Sequence, residues 1–241
     1  MSGSALDALP PPTTHRPPGK QFRVIATRYP PIDFFERHVP AGMLDALWAL
    51  EAQTNPRLRE ETGDLRRVAE VDRVSGPGAS IVMAAFTHIG WPSRFSDGGH
   101  GVYYAGRSLE TAIRETVHHR ERIARQAALS ATEFSLRAWV GTPRKPLHDL
   151  RAPVYAPLHD PAPDPADHPL AQAYGKALRA AGAWGLLYNS VRHPGGECIA
   201  ALRPPAVSLP TQGAHLVYVW NGERITHVYE KSEPIIRFDP P

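Results

Sequence analysis

The stretch RFSDGGHGVYYAGRSLETAIRE, residues 94–115, sets an arginine before a glycine-rich turn, a tyrosine in a short apolar strand, and a glutamate in a helix. If Arg94, Tyr104 and Glu115 meet, they offer a guanidinium fork suited to phosphate oxygens, an aromatic wall, and a carboxylate able to stabilise developing positive charge. A second stretch, WGLLYNSVRHPGG (184–196), adds the Ser190 hydroxyl and Arg192 beside another glycine pair. The turns SDGGHG (96–101) and HPGGE (193–197) could each bring backbone N–H groups to an anion, with Gly98 and Gly99 permitting close approach. Each residue also has an ordinary reading. Glycine pairs make turns, Tyr104 fits a core, Ser190 caps a strand end, and Glu115 lies well round the helical wheel from the apolar face, where a carboxylate is solvated.

Other chemistries lack their residues. There is no CxxC pair and no HExxH, and the adjacent His118 and His119 diverge on a helix, so no metal site is expected. Neither a GxxxxGK[ST] loop nor a GxGxxG after a strand is present, which argues against P-loop and Rossmann nucleotide binding. The one cysteine, Cys198, excludes an internal disulfide and reads as a buried core thiol in a reducing compartment. A net charge of +3 without a dense basic block favours a phosphate-bearing small molecule or an acidic partner over a nucleic-acid backbone. No run approaches the ~18 apolar residues of a membrane span, and the N-terminus lacks a signal pattern, so a cytoplasmic protein is expected.

The elements that must position these residues read as α+β, with a mostly antiparallel twisted sheet and a few helices. Residues 1–20 hold five prolines and read as a disordered tail. Residues 21–241 read as one domain. QFRVIATRY (21–29) is a strand stopped by Pro30 and Pro31. Met43, Leu44, Leu47, Trp48 and Leu50 recur at helical spacing within a helical insertion at about 40–75. SIVMAAF (80–86) reads as a buried strand and GVYYAG (101–106) as another. Ser108 is a candidate N-cap for a helix from Leu109 to about Ala128. TEFSLRAWVG is a strand with KPLHDL as its partner. Pro169 opens a helix that Gly182 stops. WGLLYNS, ECIAAL and a hairpin with a type I′ turn at Asn221-Gly222 close the chain.

Together the two chemical stretches resemble the RES domain, a bacterial family named for its arginine, glutamate and serine. In that family an arginine precedes a turn, a tyrosine strand and a helix with TAxxE, matched here by Arg94, Tyr104 and Glu115. The second block, Trp-Gly, an apolar strand and Ser-x-Arg-x-x-Gly-Gly, is matched by Ser190 and its neighbours. An arginine of the first strand commonly joins the pocket; Arg28 beside Tyr29, or Arg23, could supply it. Phe95-Ser96 stand where the family usually has Trp-Asn.

The resemblance implies a fold similar to diphtheria-toxin-like ADP-ribosyltransferases and a toxin of a toxin–antitoxin pair that consumes NAD+ as substrate, with no prosthetic group. It implies ADP-ribose transfer to protein, phosphate or water, a helical antitoxin partner, and no direct nucleic-acid or membrane partner. The catalytic set would be Glu115, Arg94, Tyr104 and Ser190, with Arg28, Arg23, Tyr29, Gly98, Gly99 and Arg192 binding substrate. Two alternatives from other classes remain: an inactive nucleotide-binding module, and a protein that interacts with nucleic acid.

Overall fold

The computed structural model describes residues 9–27, 33–47, 62–162 and 164–231. Its strands are β1 (Thr14–His15), β2 (Gln21–Ala26), β3 (Tyr103–Gly106), β4 (Thr132–Gly141), β5 (Leu147–Asp149), β6 (Gly185–Asn189), β7 (Glu197–Ala201), β8 (Thr211–Trp220) and β9 (Ile225–Glu230). They form one nine-stranded sheet in the order β1-β5-β6-β7-β3-β2-β4-β8-β9. Every neighbouring pair is antiparallel except β5 and β6, which run parallel. The class is therefore α+β, with a mixed, mostly antiparallel sheet.

Among the described residues three longer helices pack on this sheet, α1 (Ala79–Thr87), α2 (Leu109–Gln126) and α3 (Pro169–Ala180), together with the single turn Asp33–Glu36. Side chains alternate between the faces of a strand, and the alternation divides the core. One face presents Tyr103, Ala105, Trp139, Leu187, Ile199 and Ala201 to α1 and to Phe34 and Phe35. The opposite face carries two separate apolar patches. Val24, Leu136, Ala138, Leu216 and Tyr218 lie under α2. Leu186, Tyr188, Cys198 and Ala200 lie with Ala171 and Tyr174 of α3 and with the helical turn Pro153–Leu158. The strip of sheet between α2 and α3, formed by β3 and β7, is termed the cleft.

The helix signals around this cleft act as their chemistry dictates. Ser108 caps α2 by accepting from the Thr111 N–H at 3.0 Å, and Glu110 stands in the positive first turn. Pro169 occupies the first turn of α3, and Gly182 follows its end with φ +79°.

Several expectations need correction. SIVMAAF is not a strand but most of α1. A short run that is apolar throughout does not distinguish a buried strand from a buried helix, and here Gly78, with φ +88°, starts a helix covered on all sides. Its free N–H groups are capped from a distance, with Gly78 and Ser80 donating to the Glu36 carboxylate at 2.6 and 3.0 Å. KPLHDL does not pair with β4; β5 lies between β1 and β6. The final hairpin turns over four residues, since Trp220 pairs with Ile225, and the Asn221 side chain accepts from the Glu223 and Arg224 N–H groups.

Nor is the N-terminal stretch a free tail throughout. Thr14 and His15 pair with His148 and Leu147, and the Tyr155 hydroxyl donates to the Pro10 carbonyl at 3.0 Å. Proline content excludes long ladders but not a two-residue edge strand. Within 40–75 the described parts include short helical turns at Ala41–Met43, Leu65–Arg67 and Glu70–Asp72. Trp48 and Leu50 lie outside the described residues.

Because Glu36 supplies both acceptors at the start of α1, Glu36→Ala is expected to lower stability by about 1–3 kcal/mol. Urea unfolding, with the slope unchanged, is the measurement.

Candidate active site

Glu115 sits on the second turn of α2, half-buried, on the flank that faces β7. The Ser190 hydroxyl donates to its Oε1 at 2.6 Å. That direction is forced, because the Ser190 oxygen already accepts from the Arg192 N–H at 3.2 Å and the His193 N–H at 3.0 Å. A hydroxyl has one proton and two lone pairs, so its proton is left for the carboxylate. The Cys198 thiol approaches the same Oε1 at 3.8 Å.

The loop carrying Ser190 is closed on itself and tied to the helix. Ser190 N–H donates to Gly196 O and Gly196 N–H to His193 O, each at 2.8 Å. His193 Nδ1 meets Thr111 Oγ1, in the first turn of α2, at 2.9 Å. The helix can approach the sheet here because β3 ends in Gly106, where a Cβ would stand 2.5 Å from the Ala112 nitrogen. A glycine thus sets how near Glu115 comes to β7.

Arg94 is delivered from the other side of the cleft. The Tyr104 hydroxyl accepts from the Phe95 N–H at 3.0 Å and shares a 2.9 Å hydrogen bond with Ser93 Oγ, so it grips the loop on both flanks of Arg94. Burial pushes the Tyr104 pKa up to about 12, which keeps the phenol protonated. Gly175 of α3 allows Phe95 to seat, since a Cβ there would lie 2.3 Å from the Phe95 carbonyl. The Arg94 guanidinium donates to Leu158 O at 3.2 Å.

Arg192 completes the corner, donating to Ala162 O at 3.1 Å. Its pKa is lowered chiefly by burial, with Glu115 favouring its charge and Arg94 opposing it. Tyr188 lies among them. Its ring meets Phe95 edge-on at 5.1 Å, and its pKa is raised well above the ordinary value by burial first, then by Cys198, Glu115 and Tyr104. His159 is held down to about 4 by burial and by Arg94, and is therefore neutral at pH 7.

The structure therefore brings together Arg94, Tyr104, Glu115, Ser190 and Arg192. Glu115 is not the solvated carboxylate that the helical wheel suggests, because α2 buries a second flank against the loop after β6. Arg23 does not join them. It neighbours Ile25 and Gln21 on the α1 face of β2, with its guanidinium 4.6 Å from the Tyr103 ring centre and Nη1 donating to Tyr104 O at 3.0 Å. Arg28 and Tyr29 lie outside the described residues.

Gly98 and Gly99 form a closed turn rather than an open anion cradle, for their N–H groups donate to Ser96 Oγ and Asp97 Oδ1. Tyr188, His159 and Cys198 were not singled out as pocket residues from sequence. For Tyr188 the signal is its strand position two residues before Ser190, on the face shared with Leu186.

The chain belongs to the RES domain family, whose model matches residues 65–221. It is 30% identical over 211 residues to the protein y4oC of Sinorhizobium fredii, covering 86% of each chain. It is also similar to the crystal structure of the M. tuberculosis MbcT–MbcA toxin–antitoxin complex, at 12% identity, 92% coverage of each chain and a TM-score of 0.41. Among the described residues no helix is long and apolar enough to cross a membrane.

Tyr104→Phe removes the acceptor of the Phe95 N–H and leaves that group unsatisfied. The expected result is a loss of about 1–3 kcal/mol in stability, with faster amide exchange at Phe95, measured by urea unfolding and hydrogen exchange.

Proposed function

We propose that this protein is the toxin of a toxin–antitoxin pair, acting in the cytoplasm, which breaks the nicotinamide–ribose bond of NAD+ and passes ADP-ribose to an acceptor. Membership of the RES domain family supports the class. One observation carries the chemistry: a half-buried carboxylate, Glu115, anchored through a single oxygen, near two arginines that have no carboxylate ion-pair partner among the described residues.

Cleavage of that bond sends the electron pair to the pyridinium nitrogen, so nicotinamide leaves neutral and needs no proton. The ribose is left with oxocarbenium character. Glu115 supplies fixed negative charge to the ribose and an acceptor for a ribose hydroxyl, a contribution of the preorganised kind. Arg94 and Arg192 hold the pyrophosphate, and because their present partners are neutral carbonyls, their charges remain available to it. Tyr104 positions the Arg94 loop, and Ser190 orients Glu115. Ser190 is not the nucleophile, because its proton is committed to a carboxylate rather than to a histidine.

The acceptor that attacks the ribose carbon is a protein side chain, phosphate or water. Transfer to a protein is the reading favoured here. A separate antitoxin protein covers the mouth of the cleft.

Purified protein incubated with NAD+, with and without phosphate and cell extract, distinguishes the acceptors through free nicotinamide, ADP-ribose 1″-phosphate and labelled protein. Wild type should release nicotinamide; NAD+ binding without release would leave only the inactive module. Glu115→Ala is expected to reduce release by about 10²–10³-fold with the fold intact. Arg94→Ala should raise KM by about tenfold, ~1.4 kcal/mol, with a smaller effect on kcat. Wild-type turnover in Glu115→Ala would remove the carboxylate from the chemistry.

A further inference from the structure

The two oxygens of Glu115 are not equivalent. Oε1 takes the Ser190 hydroxyl at 2.6 Å and the Cys198 thiol at 3.8 Å, whereas among the described residues no hydrogen bond reaches Oε2. Cys198 is 2% exposed, the second residue of β7, paired with Tyr188 on β6 and Gly106 on β3. Its side chain points to the cleft face, and the short reach from α2 across Gly106 brings the carboxylate to it.

The surroundings of the sulfur set the direction of its proton. Burial, and after it the Glu115 charge, pushes the thiol pKa upward. The group is therefore S–H throughout the physiological range. Among the described residues the thiol's hydrogen bond is to Glu115 Oε1, so its proton goes to the carboxylate.

We infer that Cys198 is a positioning residue of this site: its thiol, together with Ser190, fixes Glu115 through Oε1 and leaves Oε2 as the oxygen that faces the ribose. Cys198 touches no substrate. The long sulfur contact adds to the Ser190 hydrogen bond a second, weaker restraint on the same oxygen.

The role in catalysis rests on the NAD+ reading, but the contact itself has a test that does not. Since the chain has a single cysteine, its S–H stretching band in the infrared belongs to Cys198 alone. The band should be red-shifted in wild type, and Glu115→Ala should return it toward the position of a free thiol. A band unmoved by Glu115→Ala would overturn the contact whatever the enzyme does.

The catalytic consequence is read separately by nicotinamide release. Cys198→Val keeps an apolar group of similar size and should retain the melting temperature, yet lower kcat about tenfold with KM within twofold. Cys198→Ser, which restores a donor, should recover to within about threefold of wild type. Wild-type kcat in Cys198→Val would end the positioning role. If wild type itself releases no nicotinamide while the band responds to Glu115→Ala, the NAD+ reading fails and the thiol–carboxylate contact stands.

Discussion

The hydrogen bond from Ser190 to Glu115 joins residues 75 positions apart and is the constraint on which the site depends. One oxygen atom closes the loop after β6 by accepting two of its N–H groups, and the same atom's proton fixes a carboxylate on α2. Loop, helix and acid are thereby set by a single side chain. The arrangement requires α2 to lie nearly on the sheet, which Gly106 permits, and requires the loop to reach the helix start, which the His193–Thr111 contact maintains.

Two pairs of arginines among the described residues differ in their partners. On the α1 face Arg151 is bound by Asp149 and Glu197, and elsewhere Arg203 is bound by both oxygens of Asp72. Those guanidiniums are neutralised locally and serve the fold. Arg94 and Arg192 are held by backbone carbonyls, which satisfy hydrogen-bonding geometry without cancelling charge. Two cations near one carboxylate leave an excess of positive charge, which the proposed substrate, with a doubly charged pyrophosphate and a cationic reacting ring, would answer with both signs.

Much of this was legible in the chain, because the decisive signals were local. Ser108 and Pro169 announce their helices by capping chemistry, and β4, β6, β7, β8 and β9 announce themselves by alternation and apolar content. Order along two stretches suggested Arg94, Tyr104, Glu115 and Ser190 as candidates, and the resemblance to the RES domain gave them their expected roles. What failed depended on distant partners. The cap of α1 comes from Glu36, 42 residues before Gly78, so nothing within SIVMAAF distinguishes helix from strand. Arg23 has the right type, but strand parity turns it to the wrong face, and parity is fixed only when β2 pairs with β4. Gly98 and Gly99 suggested an anion cradle, yet Ser96 and Asp97, present in the same turn, use the N–H groups first.

The register of β7 shows how tightly fold and chemistry are joined. Glu197 and Cys198 are adjacent and therefore face opposite sides of the sheet. Glu197 meets Arg151 on the α1 face, and Cys198 meets Glu115 on the cleft face. A slip of one residue would exchange them, setting a second carboxylate beside Glu115 and leaving Arg151 with a thiol. Like charges at that separation, away from water, are strongly unfavourable, and the slip would also strip Arg151 of one of its two partners. The ion pair on one face thus guards the acid on the other, and the strand that floors the cleft has only one register in which both faces are satisfied.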